Sequence, residues 1–372
     1  MTMRGVAILG STGSIGGSAL AVLKRHPDRF KLIALTGGTN AEKLAEQVAE
    51  WRPAFSGLAN GGQATAETRR SCLLEAATRP DVDIVVNAVV GFAGLEATLA
   101  ALRAGKRVAL ANKESLVVAG ALVDRARREG GGELIPVDSE HSAVLQCVAG
   151  RSTAVSRLIL TASGGPFRDW PAERVERASV AEALNHPTWR MGNKITIDSA
   201  TLANKAMEVI EAHFLFGLSY QAVDVVVHPQ SIVHAFVEFA DGSVLAQLGF
   251  PSMELPILYA LSYPERLVDA GVRRFDPVGA SPLTFEPIRG DIFRTYRAGV
   301  EAGRAGGTAP AVFNAANEVA VARFLEGRLP FGRIAGVIES VLARHSVGPI
   351  DDLRDVQSAD AWARAAAESE VG

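Results

Sequence analysis

Five short stretches of this sequence carry residue types whose spacing could do chemistry. Gly10-Ser-Thr-Gly13-Ser-Ile-Gly16 follows the apolar run Val6–Leu9 and opens a helical pattern. Glycines there permit a tight turn and close backbone approach, and the helix N-terminus behind them offers amides to a pyrophosphate. The spacing is GxxGxxG rather than GxGxxG. With no GK[ST] following, it suits a dinucleotide and not a nucleoside-triphosphate P-loop. About 20 residues on, an NAD enzyme would carry Asp or Glu for the ribose 2′-hydroxyl. Here the chain reads Gly37-Gly38-Thr39-Asn40, and Glu42 falls inside the next helix. The missing acid favours NADP.

The other four stretches are more polar. Asn112-Lys113-Glu114 sits just past an apolar run, where open parallel sheets bind ligands. Asp138-Ser139-Glu140 ends the extended run Leu134–Val137. On a strand, residues i and i+2 share a side, so the spacing predicts that both carboxylates converge on a hard cation such as Mg²⁺ or Mn²⁺. A third ligand must then come from elsewhere. The stretch His186–Glu208 can supply it: Asp198-Ser199 reads as the N-cap of a helix, and Asn204, Lys205 and Glu208 fall on one face of that helix. Ser, Asn and Lys near a helix N-terminus can hold a phosphate. Ser163-Gly164-Gly165 is a second candidate phosphate loop, and Trp189 marks a loop that could exclude water. His228 and His234 lie on or beside strands and read as structural.

Positioning these groups requires at least two kinds of architecture. Strand and helix signals alternate over residues 1–135: strands at Val6–Leu9, Lys31–Leu35, Ile84–Val86 and Arg107–Ala111, and helices at Ala19–Lys24, Ala41–Glu50, Leu95–Arg103 and Ser115–Arg128. That alternation predicts βαβ units and a Rossmann-like parallel sheet. Residues 136–262 read as a central α+β domain, with the helix Thr201–Phe216 before strands Val223–Val227, Ser231–Phe239 and Ser243–Leu248 of an antiparallel sheet; Asp241-Gly242 joins the last two as a hairpin. A Pro- and Gly-rich linker follows at 263–290. Residues 291–372 read as a small helical bundle, with helices at Ile292–Ala302, Ala311–Glu326, Arg333–His345 and Ala359–Glu370.

Composition narrows the class. The 372 residues are 48% hydrophobic and 21% charged, enough apolar material for more than one core. Lys+Arg 38 against Asp+Glu 41 leaves a net charge of −3, without the cation excess a nucleic-acid binder needs. Two cysteines, Cys72 and Cys147, cannot build a disulfide framework and read as thiols of a reducing compartment. The N-terminal apolar run Val6–Leu9 is too short for a signal-peptide core, and no apolar run reaches the length of a membrane span. The expectation is a cytoplasmic enzyme with no membrane partner.

Taken in order, GSTGSIG at Gly10–Gly16, ANKES at Ala111–Ser115, VDSEH at Val137–His141, SGGPF at Ser163–Phe167, HPTWRMG at His186–Gly192, DSATLANKAMEVIEA at Asp198–Ala212, HPQS at His228–Ser231 and NAANEVAV at Asn314–Val321 resemble one family over nearly the whole chain. It is the 1-deoxy-D-xylulose 5-phosphate reductoisomerase family, NADPH- and metal-dependent enzymes of non-mevalonate isoprenoid synthesis. The resemblance implies NADPH contacts at Thr12, Gly13, Ser14, Ile15, Gly38, Asn40, Asn112, Glu114 and Gly192. It implies a divalent cation (Mg²⁺, Mn²⁺ or Co²⁺) on Asp138, Glu140 and Glu208. A sugar-phosphate substrate would meet Lys113, Ser139 and Glu140 at its carbonyl end, and Ser163, His186, Ser199, Asn204 and Lys205 at its phosphate. Trp189 would close over it. Lys113, Glu140 and His186 are the candidate catalytic groups, and the family's assembly is a V-shaped homodimer. Many members carry Lys where this chain has Thr39, a cation facing the 2′-phosphate. Two rival readings of the residues are a plain NADP-dependent dehydrogenase and a nucleotide sensor without catalysis.

Overall fold

The computed structural model describes residues 3–59, 65–149 and 154–372. Contacts divide the chain into two compact units: Met1–Ser115 with Leu122–Ser142 and Ser252–Arg274, and Leu116–Ala121 with Ala143–Pro251 and Phe275–Gly372. In chain order the first elements are β1 (Arg4–Leu9), α1 (Ser14–Arg25), β2 (Phe30–Gly37), α2 (Ala41–Trp51), β3 (Phe55–Leu58), α3 (Ala66–Thr78), β4 (Ile84–Asn87), α4 (Leu95–Arg103), β5 (Arg107–Leu110), α5 (Glu114–Gly130), β6 (Glu133–Pro136) and α6 (Ser139–Val148).

Strands β1–β6 form an all-parallel sheet in the order β3-β2-β1-β4-β5-β6. This is the doubly wound dinucleotide-binding order. Helices cover both faces of such a sheet, so its central strands read as unbroken apolar runs. Val6–Leu9 and Ile84–Val86 are indeed fully buried. The loops carrying Gly10–Gly16, Asn112–Glu114 and Asp138–Glu140 leave the carboxyl ends of β1, β5 and β6. Strand β3 and helix α3 lie between elements that the sequence pattern did identify. Their apolar signals are weak: β3 is four residues, none of them buried, and α3 has no apolar stripe.

The remaining elements are β7 (Val155–Ala162), α7 (Ala172–Glu176), α8 (Val180–Leu184), α9 (Asn193–Thr201), α10 (Ala203–Phe216), β8 (Val223–Val227), β9 (Val233–Phe239), β10 (Val244–Leu248), α11 (Glu254–Ser262), β11 (Glu286–Pro287), α12 (Arg294–Ala305), α13 (Ala309–Leu325), α14 (Ile334–Ala343) and α15 (Leu353–Val371). The second unit's sheet runs β10-β9-β7-β8-β11. It is mixed rather than antiparallel, because β7 and β8 pair in parallel. Helices α12–α15 pack on one another as the C-terminal bundle, with α13 almost wholly buried at its centre.

The units divide the chain differently from the domains read in the sequence. Residues 252–274 belong with the first sheet, where α11 packs against α1, β5 and β6. The start of the Pro-rich stretch is pinned there as well. Arg25 Nε donates to Asp269 Oδ1 at 2.7 Å, Arg25 Nη2 to Glu254 Oε2 at 2.6 Å, and His26 Nε2 lies 2.9 Å from Asp269 Oδ2. Burial pushes the Asp269 carboxyl up, but Arg25, the Gly271 amide and His26 outweigh it and hold it below the ordinary range. The far end is not linker either, since Glu286–Pro287 adds an edge strand to β8. Asp269→Ala removes the acceptor that Arg25 and His26 share and should destabilise the protein by about 1–3 kcal/mol in urea titration. A change under about 0.5 kcal/mol would mean the cluster is screened by solvent.

Candidate active site

In the first unit the candidate residues line the carboxyl edge of the parallel sheet. Gly10 turns the chain out of β1 with φ +84°, and a Cβ there would come within 2.6 Å of the Ala88 carbonyl. Gly16 is required for a different reason: its Cβ would meet Ser11 Cα at 2.4 Å, where α1 presses on the turn. Gly13 caps α1 with no side-chain hydrogen bond to its first amides, and with Ser14 it is exposed. Those amides are what a pyrophosphate would use. Gln47 braces the turn, taking a hydrogen bond from Ser11 Oγ (2.7 Å) and giving one to Ser11 O (3.0 Å). Lys43 Nζ donates to Thr12 O at 2.9 Å. Beyond β2, Gly38 has open space where a Cβ would be, and Asn40 caps α2 by accepting from Lys43 N at 2.9 Å.

Asn112, Lys113 and Glu114 are all buried at the end of β5. The Asn112 amide donates to Val89 O (2.8 Å), Gly91 O (2.9 Å) and Glu114 Oε2 (3.0 Å), tying together the loops after β4 and β5. Asp138 and Glu140 are not on a strand, which corrects the strand-spacing argument. β6 stops at Pro136 and α6 begins at Ser139, so Asp138 sits in the turn and Glu140 in the first turn of the helix. Their carboxylate oxygens still lie within 4.8 Å of each other, brought there by the strand-to-helix turn. Lys113 Nζ forms an ion pair with Asp138, and Ser139 Oγ donates to Glu140 Oε2 at 2.6 Å.

The second unit gathers the residues assigned to a phosphate. Ser163 follows β7 on a loop with left-handed glycines at 164 and 165. His186 Nε2 lies 3.0 Å from Ser163 Oγ and 3.1 Å from Ser199 Oγ. Its Nδ1 accepts from the amides of Thr188 (3.1 Å) and Trp189 (2.9 Å). Two N–H donors aimed at Nδ1 leave the proton on Nε2, where it faces both serines. Trp189 thus belongs to the loop that orients His186. The segment continues to Gly192, the residue before α9.

Asp198 and Ser199 do not cap the following helix. They lie inside α9, and the break comes at Leu202, a left-handed residue (φ +58°) between α9 and α10. Sequence offers no glycine there to announce it. On α10, Asn204 and Lys205 both donate to Glu208, itself 1% exposed, and Lys205 Nζ also reaches Thr161 O at 2.5 Å. The Thr161 carbonyl and the Thr188 and Trp189 amides escaped the sequence reading because backbone partners leave no residue-type signal. His228 is held by its neighbours: its Nδ1 is 2.8 Å from Thr284 O and its ring stacks on Phe285.

Comparison with known proteins decides the family. A profile described as 1-deoxy-D-xylulose 5-phosphate reductoisomerase matches residues 6–120, and two C-terminal-domain profiles of the same enzyme match 134–216 and 248–366. The reductoisomerase of Pelotomaculum thermopropionicum is 49% identical, covering 97% of each chain, and that of Geobacillus kaustophilus is 49% identical, covering 98% of each. The chain belongs to the 1-deoxy-D-xylulose 5-phosphate reductoisomerase family. Among solved family members, a reductoisomerase in complex with NADPH, fosmidomycin and magnesium superposes at TM-score 0.91, with 38% identity over 99% of this chain and 98% of the other. The Zymomonas mobilis reductoisomerase, in complex with NADPH, superposes at 0.90 with 40% identity over 100% and 99%.

In this family member, burial lowers the pKa of His186, and the amides on Nδ1 act in the same direction. The sign follows. Unfolded chains take up a proton near the ordinary histidine value while the native ring does not, so this group's contribution to stability is full above about pH 6.5 and is lost as pH falls below it. Long-range ¹H–¹⁵N spectra should show the Nε2–H tautomer for neutral His186 and a titration midpoint below that of histidines in the unfolded chain. A midpoint at or above the unfolded value would contradict the hydrogen-bond geometry.

Proposed function

We propose that this chain rearranges and reduces 1-deoxy-D-xylulose 5-phosphate to 2-C-methyl-D-erythritol 4-phosphate, using NADPH and a divalent cation. The carrying observation is the family match, 49% identity over 97% of the chain. The solved relatives bound NADPH and magnesium, and the residues here suit both. Thr12–Ile15, Gly38, Asn40, Asn112, Glu114 and Gly192 would hold the dinucleotide. The carboxylate-free end of β2 supports NADPH over NADH. Asp138, Glu140 and Glu208 would hold Mg²⁺ or Mn²⁺, an all-oxygen donor set proper to a hard cation. A metal so held supplies Lewis-acid stabilisation of charge on the substrate's ketone and hydroxyl oxygens.

The chain's own groups do the rest. Ser163, His186 Nε2–H, Ser199, Asn204 and Lys205 donate to the substrate phosphate. Trp189, on the backbone segment that fixes His186, excludes water over the site. Lys113 and Glu140, at the carbonyl end with Ser139, hold and move protons during the skeletal shift. Hydride then passes from NADPH to the aldehyde. The same reading places the enzyme in the cytoplasm, as its two free cysteines suit. Among the described residues no helix is long and apolar enough to cross a membrane. It also makes the enzyme a homodimer, supported by the edge strand β10, whose Val244 and Leu245 are exposed.

Product structure tests the activity. Straight reduction leaves the methyl beside a carbon bearing hydrogen, and rearrangement leaves it on a carbon bearing none. Both products share one formula, so mass and NADPH consumption cannot decide. Proton NMR should show a methyl singlet, dependent on NADPH and a divalent cation. A doublet would reject the isomerase half. The metal reading is tested separately by Glu208→Gln. It should lower kcat by more than the roughly 100-fold that outer-shell changes cost, and weaken Mn²⁺ binding while sparing NADPH binding. Wild-type Mn²⁺ affinity in that variant would remove Glu208 from the ligand set.

A further inference from the structure

The alanine-rich helix α13 carries Asn314 and Asn317 in the stretch Asn314–Val321, to which the proposed activity gives no task. Both are fully buried. A buried amide costs free energy unless it is bonded. Asn317 Nδ2 donates to Asp198 Oδ1 at 2.8 Å, while Asn317 Oδ1 has no hydrogen-bond partner among the described residues. The satisfied half of the amide meets a carboxylate that is itself 1% exposed. An apolar residue would fill this place without an orphaned oxygen. What asparagine adds is a direction.

Asp198 stands on α9 immediately before Ser199. Consecutive helix residues point roughly 100° apart, so fixing the azimuth of Asp198 fixes that of Ser199, whose Oγ lies 3.1 Å from His186 Nε2. Lys194, one turn earlier, pairs with Asp198 Oδ2 at 2.7 Å. The loop after β7 bears on the same short helix: a Cβ on Gly165 would come within 2.7 Å of Ser199 O. Because α9 breaks from α10 at Leu202, its rotation is not continuous with that of the longer helix, and its side-chain bonds, the one to α13 among them, bear on it.

We infer that Asn317 is a positioning residue for the substrate-phosphate site, acting through Asp198 to set the rotation of α9 and so the place of Ser199 Oγ. The inference rests on the proposed phosphate role of Ser163, His186 and Ser199. The test compares Asn317→Ala and Asn317→Asp with the exchange Asp198→Asn/Asn317→Asp, using steady-state kinetics and fluorescence titration of NADPH. Losing the bond, or setting two carboxylates face to face, should raise KM for 1-deoxy-D-xylulose 5-phosphate by about tenfold or more. NADPH affinity should stay within about twofold. The exchange restores an amide–carboxylate pair and should bring KM back toward wild type. If Asn317→Ala does not fold, Asn317→Ser serves the same comparison. A lowered Tm with wild-type KM would reduce Asn317 to packing and overturn the inference, as would an exchange variant that recovers nothing. Ser199→Ala separates the two layers. An unchanged KM there would strike the phosphate reading itself and the inference with it. A raised KM in Ser199→Ala beside a normal one in the Asn317 variants would strike the inference alone.

Discussion

Glu208 is buried to 1% on α10, and a carboxylate so placed is costly unless it is paired and hydrogen-bonded. Lys205 and Asn204, one turn away on the same helix, provide both. Lys205 is itself buried, and its ammonium also bonds the Thr161 carbonyl near the end of β7. That second bond moors α10 to the strand whose continuation is the Ser163 loop. The loop reaches His186, and His186 reaches Ser199 on α9. One desolvated charge pair thus ties a helix, a strand end and two loops into a single polar cluster. Replacing the pair with apolar residues could give a core of equal stability, but the cluster would lose its geometry.

Asn112, Ser11 and Gln47 follow the same rule. Asn112 spends its amide on two carbonyls and a carboxylate, and Ser11 and Gln47 satisfy each other beneath the glycine turn. Asn112 and Ser11 lie where strands end, and there the backbone has carbonyls and amides that no ladder uses. A side chain that satisfies them also fixes the loop. The polar residues of the proposed site therefore also hold the loops, and substitutions among them will mix structural and functional effects unless binding is measured beside stability.

Much of this was legible in sequence because the signals are local. The apolar runs Val6–Leu9 and Ile84–Val86, the glycine turn and the helical face of Asn204, Lys205 and Glu208 each lie within a few residues, and periodicity reports them. The misreadings came where the chain breaks its period without the usual residue. Leu202 takes a left-handed conformation where glycine would normally announce it, so Asp198-Ser199 passed for a cap. Pro136 ends β6 before Asp138, so a strand-spacing argument was applied to a turn. Long-range partners left no trace. Arg25 and Asp269 are 244 residues apart, and without their pairing residues 263–274 look like linker. Asp198 and Asn317 are 119 apart and gave no hint of each other.

The proposed reaction brings together two phosphorylated anions, yet the chain carries a net charge of −3. The overall charge therefore does not attract them, and recognition falls to the local donors. The donors available are mostly neutral: exposed amides at the start of α1, the Ser163 and Ser199 hydroxyls, and a histidine whose Nδ1 is occupied by two backbone amides so that its proton stays on Nε2. Lys205 is the cation in the set, and part of its charge is already committed to Glu208. Neutral, pre-aimed donors select a phosphate by direction and distance more than by charge. They also release it more readily than a cluster of free cations would. For an enzyme whose product keeps the phosphate of its substrate, a site that orients without trapping is what turnover requires.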